Sequence, residues 1–342
     1  MKHFSWGPKK RRREIAKKVR DLDYTHLQER DMKLRRIGSL DATVVGLGCN
    51  NFGTRIDAEA TARVVHAALD AGVRFFDTAD IYGGGRSEEF LGRALGGRRR
   101  EVVIASKFGK KMPDGSHGAA PAYVRSAAEA SLRRLGTDVI DLYQLHEPDP
   151  SVPIEETLGA LQDLVAAGKV REIGCSNFSA AEIREGEETA AASGSARFVS
   201  VQNEYSLLER GAERDVLPEC ERRGIAFLPY YPLASGLLTG KYRSGARPPE
   251  GSRLSGGRYA NELSEENLRI VESLRAFAEA RGRSLLELAF GWLLAHRVVA
   301  SVIAGATRPE QVASNVAAAG WELSDEEMAA VNRIVPPTRQ PA

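Results

Sequence analysis

The chain has 342 residues, 42% of them apolar and 27% charged, with a net charge of +2 and three cysteines, Cys49, Cys175 and Cys220. That composition excludes disordered, collagenous and coiled-coil chains, and cysteines so few and scattered exclude a disulfide framework or a structural zinc site. No apolar run approaches the roughly 18 residues of a membrane helix, and the first residues lack the apolar stretch of a secretory signal, so a cytoplasmic setting is expected.

The charge is uneven. Residues 1–30 hold ten Lys and Arg against four acids, which leaves the rest of the chain at −4. The expectation is a basic, solvated extension over 1–30, with Ile15, Val19 and Leu22 at helical spacing, followed by a single domain over 31–342. A mildly acidic body presents no broad basic face to a nucleic-acid backbone, so no nucleic-acid partner is expected.

Residues 32–41 read as a hairpin placed to plug the bottom of a barrel. From there short apolar, β-rich runs alternate with longer segments of helical period. The strand-like runs are 43–49, 74–78, 102–107, 140–146, 170–177, 198–205, 225–232 and 301–307. Helical segments begin near Ala58, Ser87, Pro121, Ile154, Ala180, Ala212 and Ser264, and an eighth follows Arg308. Asp57, Ser179 and Ser264 stand where N-caps belong, and Gly72, Gly168, Gly224 and Gly282 where helices stop.

Eight such units imply parallel strands covered by helices, and eight is the number that closes without edges, a (β/α)8 TIM barrel. The open alternative that binds a dinucleotide carries G-x-G-x-x-G at its first βα turn; here Gly46-Leu47-Gly48-Cys49-Asn50-Asn51 breaks that pattern. Three additions decorate the barrel. They are the hairpin, a long Gly-, Pro- and Arg-rich loop over 233–263 after the seventh strand, and extra helices over 284–296 and 324–334. The last begins with Ser324 and Glu327 at capping-box spacing.

Barrel chemistry is carried by the carboxyl ends of the strands. The second run ends in Asp77, with Tyr82 in the Gly-rich loop after it; the third ends in Lys107 and the fourth in His146. Singly, each has an ordinary explanation as a cap, a solvated cation or a packed ring. Together on one rim they suit one chemistry. An ammonium beside a phenol stabilises the phenolate and is expected to lower the Tyr82 pKa from about 10. Asp77 would hold Lys107, His146 would donate to a substrate oxygen, and Tyr82 would act as general acid on a carbonyl receiving hydride.

Later strand ends fit a hydride carrier. Ser176, Asn177 and Gln202 offer amides and hydroxyls to a carboxamide, and Tyr230 offers a ring to stack on. Gly305, Thr307 and Arg308 lead into a helix, a phosphate-binding arrangement. Gly236 to Lys241 is one residue too short between glycines for a P-loop, and Tyr242 occupies the Ser/Thr position. A dinucleotide pyrophosphate suits that segment better. No metal is expected.

These residues resemble the aldo-keto reductase superfamily, and more narrowly its bacterial and potassium-channel-β-like branch, across roughly 32–335. The resemblance rests on 72–83 (with Asp77 and Tyr82), 141–149 (with His146) and 174–178 (with Ser176 and Asn177). Residues 201–205 (with Gln202), 232–241 and 305–315 add to it. It implies a barrel oxidoreductase that uses NADPH to reduce aldehydes and ketones, with Tyr82 as proton donor, Asp77 and Lys107 tuning it, and His146 orienting the carbonyl. Ser176, Asn177, Gln202 and Tyr230 would hold the nicotinamide, Leu233, Ser235 and Gly236 the pyrophosphate, and Thr307, Arg308, Gln311 and Asn315 the adenosine end. Where many members grip the 2′-phosphate with lysine and arginine, this chain has Gly305 and Gln311, leaving Arg308 as the nearby cation. NADPH is expected over NADH. Two other readings are a catalytically slow, nucleotide-sensing β-subunit-like protein and an aldolase with a Schiff base on Lys107. Substrate identity and oligomeric state are left open.

Overall fold

The computed structural model describes residues 32–337 except 244, 251 and 257–262; the basic extension lies outside the described residues. Leu34–Ile37 (β1) and Leu40–Thr43 (β2) form an antiparallel hairpin. Eight strands follow: Val45–Gly48 (β3), Phe75–Asp77 (β4), Val103–Phe108 (β5), Ile140–Leu145 (β6), Val170–Ser176 (β7), Phe198–Glu204 (β8), Ala226–Tyr230 (β9) and Val302–Gly305 (β10). They pair in parallel in the order β10-β3-β4-β5-β6-β7-β8-β9. Hydrogen bonds from the Phe227 and Ala300 amides to Val298 and Phe227 carbonyls, at 2.8 and 2.9 Å, bring the ends of the sheet together into a (β/α)8 barrel.

Outside the strands run Ala58–Asp70 (α1), Arg86–Leu95 (α2), Pro121–Leu135 (α3), Ile154–Ala166 (α4), Ala180–Ser193 (α5), Val216–Arg223 (α6), Glu265–Glu279 (α7), Leu285–Ala295 (α8), Pro309–Ala318 (α9) and Asp325–Ile334 (α10). Their starts follow the caps. Asp57 accepts from the Ala60 amide at 2.8 Å, and Ser179–Glu182, Ser284–Glu287 and Ser324–Glu327 are complete capping boxes. The Ser264 hydroxyl caps the Asn267 amide. One boundary differs from expectation. The segment near Ala212 forms a 3-10 turn, Gly211–Glu213, and the helix starts only at Val216. A bidentate Arg210–Glu213 pair, 2.6 and 2.8 Å, fixes that turn.

The core has two layers. Ile37, Leu40 and Ala42 of the hairpin join Phe75, Ala105, Leu142, Leu228 and Ile303 inside the barrel, which seals its amino-terminal end. The larger cluster fills the space between strands and helices. α8 is buried along most of its length, as its nearly unbroken apolar sequence dictates. Close approach constrains α2 against α3: a Cβ at Gly92 would lie 2.2 Å from the Leu135 carbonyl oxygen. Gly92→Ala is expected to cost about 2 kcal/mol by forcing the helices apart, read as a lowered thermal midpoint.

Candidate active site

β4, β5 and β6 are in register so that their carboxyl ends meet at one rim: Asp77 pairs with Ala105, and Lys107 with Gln144. Lys107 is fully buried, and its ammonium donates to both Asp77 oxygens at 2.8 and 2.7 Å and to the Thr78 carbonyl at 2.9 Å. Asp77 also accepts from the Gln202 amide at 2.9 Å. Tyr82 opens a 3-10 turn, Tyr82–Gly85, in which Gly83, Gly84 and Gly85 all take positive φ. At Gly83 a Cβ would meet the Phe52 carbonyl at 3.1 Å, so the glycine run lets the turn pack on the loop after β3. This places the Tyr82 ring 5.2 Å from the Lys107 nitrogen and 5.9 Å from the His146 ring, edge to face.

The electrostatics follow from burial and these contacts. Burial opposes the Lys107 charge, but Asp77 and then Tyr82 outweigh it, so its pKa is raised and the group stays an ammonium. Burial drives the Tyr82 pKa up, and the pull of Lys107 offsets this only in part. The expected depression of the phenol below 10 is therefore corrected: desolvation dominates. A phenol that keeps its proton at neutral pH, beside an ammonium ready to stabilise the phenolate, remains suited to proton donation. His146 is pushed down to about 2 by burial, then by Lys107 and Lys110, so its imidazole is neutral. Its Nδ1 has no partner among the described residues.

Tyr82, Asp77 and His146 face a cleft of about 600 Å³ whose wall continues through Ser176, Asn177, Gln202, Tyr230, Leu233, Ser235, Gly236, Gly305, Thr307, Gln311 and Asn315. Ser176 donates to the Gln202 carbonyl at 2.7 Å; Asn177 donates to the His146 carbonyl and accepts from the Tyr230 hydroxyl, each at 2.9 Å. Asn177, Tyr231, Ala234 and Ser235 are the non-glycine residues with positive φ among the described residues, and three of them line this cleft. Backbone held in that region costs free energy and clusters at functional sites.

Two expected residues lie elsewhere. Lys107 is behind the wall rather than on it, covered by Asp77. Arg308 is an exposed residue at the N-cap of α9 and does not line the cleft. Gln311 is also committed locally, accepting from the Thr307 amide at 2.7 Å and its hydroxyl at 3.1 Å. Conversely, Lys241, Arg253, Asn51, Tyr231, Ile81, Lys110 and Glu147 line the cleft without having been singled out. Lys241 was legible as a cation in the Gly236–Lys241 segment. Arg253 lies in a loop without periodicity; it donates to Asn51 at 3.1 Å and stands 5.6 Å over the Tyr231 ring. Among the described residues no His, Cys, Asp and Glu cluster suited to a metal ion occurs, and no helix is long and apolar enough to cross a membrane.

A (β/α)8 barrel with a tyrosine, a buried lysine–aspartate pair and a neutral histidine at its carboxyl rim has the form of an aldo-keto oxidoreductase. The chain belongs to the aldo/keto reductase family, whose profile matches residues 44–336, and it is an oxidoreductase. It is 33% identical over 320 residues to a probable aldo-keto reductase 1 of Glycine max, covering 91% of this chain and 90% of that one. It is 36% identical over 277 residues to a probable voltage-gated potassium channel subunit beta of Arabidopsis thaliana, covering 78% and 84%. Among solved structures it is similar to an aldo-keto reductase from Bacillus halodurans in its holo form, at 33% identity, and to a glycerol dehydrogenase from Gluconobacter oxydans, at 32%. Each gives a TM-score of 0.76 over 90% of this chain and 97% of the other.

Proposed function

We propose that this protein reduces the carbonyl of small aldehydes or ketones with a nicotinamide nucleotide, NADPH in preference to NADH, and that Tyr82 donates the proton. The observation that carries the reading is the convergence of Tyr82, Asp77 and His146 at the floor of one cleft, with Lys107 buried against Asp77. The cleft has the volume and the donor set for a dinucleotide. Ser176, Asn177, Gln202 and Tyr230 would hold the nicotinamide end, while Leu233, Ser235, Gly236 and Lys241 would hold the pyrophosphate. Gly305, Thr307, Gln311 and Asn315 would receive the adenosine. When bound, the nucleotide supplies hydride. The chain supplies a neutral imidazole to orient the carbonyl and a protonated phenol to quench the developing alkoxide.

The Lys107 ammonium, held by three oxygens and kept charged, argues against a Schiff-base nucleophile, which must be free and neutral. Residues 31–342 would act as one domain, in the cytoplasm and without metal or nucleic acid. Fluorescence titration with both nucleotides tests the reading: saturable quenching by NADPH, weaker by NADH, is expected, and binding of neither would overturn it. Arg308 is exposed and directly follows Thr307, which lines the cleft. Arg308→Ala is therefore expected to raise the KM for NADPH several-fold more than that for NADH; equal changes would place the phosphate grip on another cation.

A further inference from the structure

Behind the catalytic floor, in the layer between barrel and helices, lies a second acidic group that the proton transfer does not use. Asp80 is 1% exposed, and among the described residues no side chain donates to either of its carboxylate oxygens; the Ile81 amide is the backbone donor that favours its charged form. Its own amide donates to the Lys107 carbonyl at 3.1 Å, which ties the segment after β4 to the end of β5. Glu88 of α2 is its nearest like charge. Glu88 is fully buried and has each oxygen engaged, accepting from the Arg134 guanidinium at 2.7 Å and from the Ser106 hydroxyl. The remaining groups facing Asp80 are Arg134 and Tyr123 from α3, Lys107 from β5 and Tyr143 from β6, the last with its buried hydroxyl unpartnered.

A buried carboxylate with no side-chain donor and a like charge close by is costly in its ionised form. We infer that Asp80, coupled to Glu88, is a proton-holding positioning residue whose charge tunes the Lys107–Tyr82 pair from the helix side of the barrel. This rests on the reductase reading of the site. Burial first, then Glu88, raises the Asp80 carboxyl to about 7, against the weaker opposing pull of Arg134 and Lys107. When Asp80 is neutral, Lys107 acts on the phenol undiminished and favours the phenolate. When Asp80 ionises, its charge offsets part of the ammonium's field and Tyr82 holds its proton more firmly.

The test uses the full-length protein and Asp80→Asn in two measurements. In thermal melts the sign is fixed by linkage: the folded-state pKa lies above the unfolded value. The wild type therefore loses stability as pH rises from about 4 through about 7. Asp80→Asn has nothing to ionise, so its midpoint is expected to gain on the wild type from about pH 5 to about pH 7 and to level off above that. A difference that does not change with pH would overturn the proton-holding role. In NADPH-dependent carbonyl reduction, the alkaline limb of the kcat/KM profile marks loss of the Tyr82 proton. That limb is expected to move down by roughly half to one pH unit in Asp80→Asn, a modest shift because Asp80 acts on the phenol through the field of Lys107. A limb that stays in place would overturn the tuning role. Glu88→Gln removes the like charge and moves the wild-type loss of stability to lower pH, which keeps the test decisive should Asp80→Asn fail to fold. The melts need no turnover, so a flat melt comparison with normal catalysis sinks this inference alone. A protein that never oxidises NADPH sinks the reductase reading instead.

Discussion

Tyr82→Phe is expected to lower kcat/KM for carbonyl reduction by roughly 10²–10⁴-fold, the usual contribution of a positioned general acid, while leaving nucleotide affinity unchanged. The ring still fills its place 5.9 Å from His146 and 5.2 Å from the Lys107 nitrogen; only the proton is removed. Because the loss falls on the transition state, it should appear in kcat with little change in KM. Steady-state kinetics on a carbonyl panel, together with fluorescence titration of the variant, separate the two quantities. Retained turnover would remove Tyr82 from the chemistry, and lost nucleotide binding would mean that the ring supports the cleft rather than the reaction.

The second large effect is expected at Lys107. Its ammonium and the Asp77 carboxylate have side-chain exposures of 0% and 5%, so neither is appreciably hydrated. Lys107→Met leaves the Asp77 charge buried with, among the described residues, only the Gln202 amide at 2.9 Å and the Gln144 amide at 3.5 Å as side-chain donors. Removing one partner of such a pair costs about 3–5 kcal/mol, to be read by equilibrium denaturation. Adding Asp77→Asn should restore part of that stability, since it removes the stranded charge; failure to do so would mean that the pair is not energetically coupled. Activity should not return in the double variant, because the phenolate would form without its cation.

The barrel was legible because its strands are short apolar runs and its helices carry their own start signals. Asp57, Ser179, Ser264 and Ser324 cap where their sequence places them. The Asp77, Tyr82, Lys107 and His146 set was legible for a related reason: each lies at or just beyond the carboxyl end of a strand, and register brings those ends together. What sequence could not show was how the competing terms balance. A nearby ammonium suggested a lowered phenol pKa, whereas the desolvation that raises it depends on packing from several elements. The same holds for the cleft's cations. Arg308 follows the eighth strand and invited a phosphate role, yet its position at the N-cap of α9 leaves it outside the cleft. Arg253 enters from a loop with no period to place it, through a long-range contact with Asn51. The start of α6 was misplaced because the Arg210–Glu213 pair holds a tight turn that propensity alone does not reveal.

The most direct measurement follows deuterium from reduced nicotinamide with both C4 hydrogens replaced by deuterium, with wild-type protein and a small aldehyde in a single turnover. The account predicts one nucleotide oxidised per alcohol formed, with the label on the carbinol carbon. Nucleotide that binds but is not consumed, or an alcohol lacking deuterium, would contradict it.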